Sequence, residues 1–246
     1  MDVGKAFGFV FEDKDWIVKL LIAAGILLVG ILFFWVLLIP AIVAAALLAG
    51  YALEITRRVI RGQRDGLPEW DNWGELIVDG IKVLLISLVY ALPAILVSLC
   101  LGLPAAAAAE DAEGLSVALN LFSSCLSIVW SILISVLLPA AIALFAATGD
   151  WTRAFRFGEV IALVRDNIGL YLITFLMSWV ASFVGGLGVL VCGIGWLVTA
   201  PYAQFVTGHL YGQAYVEATG GATSFVAPVE PVAEDVLDLD DDEDIL

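Results

Sequence analysis

Tyr202, His209, Gln213 and Glu217 are spaced seven, four and four residues apart, which puts them on one face of a helix. Gln204, Thr207, Tyr211 and Tyr215 flank that face. His209 is the sole histidine of the chain and the side chain best suited to exchange a proton near neutral pH. Two chemistries fit this arrangement. The face could line a polar cavity that passes a solute or ion, or it could hold helices together by hydrogen bonds across their interface. The packing reading is preferred, because no acid stands at mid-helix to partner the histidine, and Gly208 and Gly212 have the four-residue spacing of a close helix crossing.

A second stripe, Asn120, Ser124, Ser127, Ser131 and Ser135, also falls on one helix face, and Ser178, Ser182 and Gly186 answer it further along the chain. Close helix packing again explains both without a ligand; a polar permeation path is the alternative. Enzyme signatures are missing. The chain has no HExxH, no GxSxG and no paired intramembrane aspartates, and one histidine cannot supply a metal cluster. The expectation is a protein that is not an enzyme and takes no cofactor and no metal.

The elements that must position these residues are dictated by hydropathy. Residues 20–53 form a run of 34 without one Asp, Glu, Lys or Arg. At 1.5 Å per helical residue this is ~51 Å of apolar chain against a hydrocarbon layer of roughly 30 Å, too long for one span and about right for two. Pro40 is the natural break. Residues 114–149 form a second uncharged run of 36. With 62% apolar residues and a mean hydropathy of +1.01, the chain lies outside the soluble globular range. The fold expected is all-α, a polytopic transmembrane helical bundle in residues 1–221. Its spans fall at about 17–39, 40–56, 81–101, 116–138, 168–186 and 194–217. Pro93 is an expected kink in the third.

The cations test this threading. All 11 bases fall in 1–19, 54–82 and 150–166, the three regions that six spans place on the same side as both termini. The positive-inside rule makes that side cytoplasmic; the membrane expected is the plasma membrane. Glu54 is placed to pair with Arg57 and Arg58 on its own helix. Trp16, Trp70, Trp73 and Trp151 read as interfacial anchors. Amphipathic segments around 68–75 and 150–166 read as helices or turns in the cytoplasmic headgroup plane.

Net charge is −15, but nine of the 26 acids lie after Ala222, leaving 17 against 11 bases in 1–221. Residues 222–246 therefore read as a disordered acidic tail, and the balance excludes direct nucleic-acid binding. The bilayer is one expected partner; a basic cytoplasmic protein docking on the tail and a second copy of the chain are the others. Cys100, Cys125 and Cys192 lack metal or redox spacing and read as small buried residues, with a Cys100–Cys192 disulfide as the alternative. Asp2, Glu12, Asp13 and Asp15 oppose a cleaved signal peptide.

An internal echo runs in parallel: Lys5, Ala6, Phe7, Gly8, Phe9 against Arg153, Ala154, Phe155, Arg156, Phe157, each ahead of a helical hairpin. Inverted repeats with broken midplane helices, which mark many secondary transporters, are not seen. Asp15 with Trp16, Gly50 with Tyr51, Leu67 through Asp71, and Tyr90 with Pro93 resemble an uncharacterised family of prokaryotic, mainly archaeal, polytopic membrane proteins filed as a domain of unknown function. The resemblance spans roughly residues 5–217 and implies a helical membrane bundle, with no activity or site residue to carry over. The function expected is a structural, interaction or assembly role in the membrane; a channel or small-solute transporter built on the last span is the alternative.

Overall fold

The structure, a computed structural model, describes residues 1–34, 38–63, 66–190 and 193–220. The expected acidic tail, Arg64 and Cys192 lie outside these residues. The described chain is all-α, with no strand: α1 (Val3–Gly8), a 3-10 turn (Phe9–Glu12), α2 (Trp16–Phe34), α3 (Leu38–Ile60), α4 (Trp73–Ala107), α5 (Glu113–Thr148), a 3-10 segment (Trp151–Phe155), α6 (Phe157–Asp166), α7 (Ile168–Leu187), a 3-10 turn (Gly188–Leu190) and α8 (Trp196–Ala218). Five helices, α2, α3, α4, α5 and α7, are long and apolar enough to cross a membrane. Leu121, Phe122, Trp179 and Phe183 are exposed on the outside of this bundle, the reverse of a water-soluble protein. It is a membrane protein.

The sixth expected span, α8, has the length but not the hydropathy. Its enclosed side chains explain why. His209, Gln213 and Thr56 opposite it are buried polar groups, so α8 meets protein rather than lipid over much of its surface.

Helix α3 is the element against which the others are laid, and glycines set the distances. A Cβ on Gly50 would overlap the Leu76 carbonyl, and one on Gly80 would overlap the Ala46 carbonyl, so α3 and α4 cross antiparallel at backbone contact. Gly208 lies against the Ala52 carbonyl and Gly212 against Thr56 and Val59, so α3 and α8 run parallel. The Thr56 hydroxyl donates to the Gly208 carbonyl at 2.8 Å and seals that crossing. Gly185 of α7 and Gly188 of the turn after it lie against Ala203 and Thr199 of α8 in the same way.

The internal echo has a structural counterpart. Ala6 and Ala154 are both wholly buried. The Tyr202 hydroxyl donates to the Phe7 carbonyl, and the Tyr90 hydroxyl to the Ala154 carbonyl, each at 2.7 Å. Each copy thus begins with a short helical segment pinned by a tyrosine from a long helix.

Two local expectations are corrected and a third is resolved. Pro40 is not the break of the first hairpin. It sits in the opening turn of α3, where its missing N–H has no intrahelical partner to lose. Of the helix or turn expected around Trp70, the chain takes the non-helical form up to Trp73, with the Leu67 carbonyl taken by the Lys19 ammonium at 3.1 Å and the Pro68 carbonyl by the Tyr51 hydroxyl at 2.7 Å. Cys100 and Cys125 are free thiols on the exposed surface rather than buried residues.

Candidate functional site

The polar face of α8 is occupied by the beginning of the chain. Gln213 forms a reciprocal pair with the Asp2 backbone: its Oε1 accepts from the Asp2 N–H at 3.0 Å, and its Nε2 donates to the Asp2 carbonyl at 3.1 Å. The same Nε2 lies 3.2 Å from His209 Nδ1. Phe9 stacks on the His209 ring with centroids 4.4 Å apart. Tyr202 holds Phe7, as above, and Glu217 pairs with the Met1 ammonium. Tyr202, His209, Gln213 and Glu217 therefore act together, as a dock for residues 1–12 laid along α8. Ala6, Phe9 and Val10 are the residues of the strap that are buried.

Local sequence explains why the strap can lie there. The Asp2 carboxylate caps α1 by accepting from the Lys5 N–H at 3.0 Å, which gives a short helix its start. The strap's other end is fixed by Asp13, which accepts from Lys19 Nζ at 3.0 Å and from the Leu67 N–H at 3.0 Å. Burial works to raise the Asp13 carboxyl, but the Lys19 hydrogen bond, those from the Asp15 and Leu67 backbone, and the Lys19 charge together hold it below its usual value. A carboxyl lowered on folding stabilises the fold above its unfolded value, about pH 4, and loses that contribution as pH falls through the folded value. The Asp13→Asn variant is therefore expected to unfold more easily than wild type at pH 6 to 7. The gap in unfolding midpoint should close below about pH 4; a gap that widens on acidification would contradict this.

Gln204 does not join the group. It faces a groove of about 360 Å³ between α7 and α8, with Ser182, Gly186 and Thr207. The serine stripe is not the helix-packing face expected of it within this chain. Asn120, Ser124 and Ser131 are exposed, and Ser127 and Ser135 are half-buried. Ser131 and Ser135 donate to carbonyls one turn back, at 2.7 and 2.6 Å, which satisfies a hydroxyl on an apolar face without a partner helix. The residues of α5 that do turn inward at this level are Ser116 and Ser123.

A second cluster lies where α3, α4 and α5 meet. Asp79, buried on α4, binds Arg57 at 2.5 Å and Lys82 at 2.7 Å. Arg57 and Lys82 also sit over the Phe145 ring, 5.5 and 5.8 Å from its centroid. Glu54 pairs with Arg57 at 3.7 Å, as expected, but its second partner is Arg61 at 3.5 Å; Arg58 turns instead to Gln63. Beside this network opens a cleft of about 760 Å³, lined by Arg58, Arg61, Asp71, Glu75 and Asp150 among others. Asp79 went unnoticed in the sequence, although an acid three residues before Lys82 at the start of a span was a usable signal.

The tryptophans open elements at the basic segments: Trp16 begins α2, Trp73 begins α4 and Trp151 begins the 3-10 segment. Trp73 and Trp151 are exposed, while Trp70 stacks flat on Tyr51 at 4.0 Å. No group of His, Cys, Asp and Glu able to hold a metal occurs among the described residues.

A family model described as Protein of unknown function (DUF4013) matches residues 33–194. It begins near the end of α2 and stops ahead of α8. No curated protein and no solved structure matches the chain.

Proposed function

The chain belongs to this DUF4013 family, whose description carries no activity, and from its geometry we propose a non-enzymatic membrane scaffold that offers its charged end to partners. One observation carries the reading: the side chains best suited to line a permeation path, Tyr202, His209, Gln213 and Glu217, are spent on the chain's own first residues. The channel alternative needs that face open to water. The protein is placed in the plasma membrane, and the distribution of the bases supports basic segments and both termini on the cytoplasmic side. The cleft beside Asp79 then faces the cytoplasm, where a protein partner docks on its polar rim. The charge of residues 222–246, nine acids and no base, favours a basic partner.

Reconstitution tests the scaffold reading. Vesicles carrying the full chain should leak Na⁺, K⁺, Cl⁻ and glycerol no faster than protein-free vesicles, and His209→Ala should not alter this. A conductance above the control that falls in His209→Ala would overturn the scaffold in favour of a channel.

A further inference from the structure

Polar side chains within the long helices mostly find a partner one turn back. Thr207 donates to the Ala203 carbonyl at 2.8 Å, Asn120 Nδ2 to the Ser116 carbonyl at 2.9 Å, and Ser131 and Ser135 do the same. Gln204 does not. Among the described residues, none donates to its amide or accepts from it. It shares its groove with Ser182 of the membrane-crossing α7, so it stands at membrane depth, where water does not serve it. An amide carries two N–H donors and a carbonyl acceptor, and hydrocarbon answers none of them.

The groove around it is shaped to be filled. Gly185, Gly186, Ala200 and Ala203 give it a shallow floor, and its volume is about 360 Å³. Beside it rises a ridge. Trp179 and Phe183 of α7 are 67% and 68% exposed, and helical spacing sets both on the side of Ser182 that is turned away from Gly185 and α8.

Copies of one sequence insert in the bilayer the same way round, so two of them pair about an axis along the membrane normal. Each residue on the shared face then meets its counterpart at its own depth. An amide is its own complement, the N–H of one copy donating to the carbonyl of the other and the reverse. The same two-fold sets the ridge of each copy level with the groove of the other. A lipid acyl chain fills the groove equally well but brings no hydrogen-bonding group to that depth.

We propose that the α7–α8 face joins two copies of this chain, with the Gln204 amides paired at its centre and Phe183 of each copy seated against Ser182 and Gly186 of the other. The groove lies along the apolar helices rather than at the charged end, so the pairing leaves the cleft beside Asp79 free.

Energy transfer in vesicles of phosphatidylethanolamine and phosphatidylglycerol tests the pairing. Full-length chains carrying donor or acceptor dyes at the C-terminus are mixed and then diluted with lipid. Wild type should show transfer that saturates as a dimer, and Gln204→Leu should need about fivefold more protein per lipid, or greater, to reach the same level. Asn120→Leu, on α5, should leave the midpoint in place. With the three native cysteines replaced by alanine, a nitroxide at Ser182→Cys should lie closer to its own copy than one at Leu96→Cys on α4, across α3 from α8. Absence of transfer at every ratio would overturn the proposal, as would a midpoint that Gln204→Leu does not move or a shorter distance at Leu96. A monomer holding a hydrophobic molecule that Gln204→Leu loses, read by native mass spectrometry, would assign the groove to a ligand and overturn it too. Should Gln204→Leu fail to fold, the two nitroxide distances decide. Ion leakage enters none of these readouts, so the pairing and the scaffold can fail separately.

Discussion

Replacing Gly80 by valine is expected to cost roughly 3 kcal/mol or more and to remove most of the folded, monodisperse protein. The reason is geometric. The first added carbon would overlap the Ala46 carbonyl, and that obstacle is helix backbone, with no rotamer to turn aside. Gly50 faces the Leu76 carbonyl in the same crossing, so Gly50→Val should fail in the same way. Relief would require α3 and α4 to separate along their whole contact, which would also disturb Arg57 and Asp79 just beyond it. Gly102, on the same helix α4, provides the control, since nothing lies within 4 Å of a Cβ built there. Gly102→Ala should be neutral or stabilising by up to about 1 kcal/mol. Detergent unfolding midpoints and size-exclusion profiles read the difference. Equal behaviour of the Gly80 and Gly102 variants would show that the crossing is looser than described.

Asp79→Ala is expected to cost about 3–5 kcal/mol, because it leaves Arg57 without its close carboxylate while the guanidinium stays largely enclosed. Lys82 loses its partner in the same change. The loss should exceed that of Asp79→Asn, which keeps an oxygen acceptor and gives up only the charge. Replacing both partners, as in Arg57→Leu with Asp79→Leu, should recover part of the loss, since neither charge is then stranded. The check is a double-mutant cycle on the unfolding midpoint. Strict additivity would mean that the pair is not coupled in the folded protein.

Much of the fold was legible because lipid imposes a crude and strong requirement. Long uncharged runs must be helical, so α7 falls at 168–187 against an expected 168–186. The ends of α4 and α5 run past the expected spans, since a helix continues beyond the hydrocarbon wherever its polar residues keep bonding within it. The face formed by Tyr202, His209, Gln213 and Glu217 was also legible, because helical spacing alone brings those four together. What fills it was not. Nothing in the spacing of Asp2, Phe7 and Phe9 says that a six-residue helix will lie on α8 about 200 positions away; only the echo with Arg153 through Phe157 hinted that the segment has a structural task. The serine stripe misled for the opposite reason. Serine can satisfy itself on the preceding turn, so a row of serines does not require a neighbouring helix.

The docking of the strap on α8 is tested most directly by hydrogen exchange on the unmodified chain in nanodiscs at neutral pH. The amides of Ala6 and Phe9, buried residues whose N–H groups donate to the Asp2 and Lys5 carbonyls, should exchange at least about a hundredfold more slowly than in an unstructured peptide. Exchange of these amides at free-peptide rates would mean that the polar face of α8 stands open, and would contradict both its structural role and the scaffold built upon it.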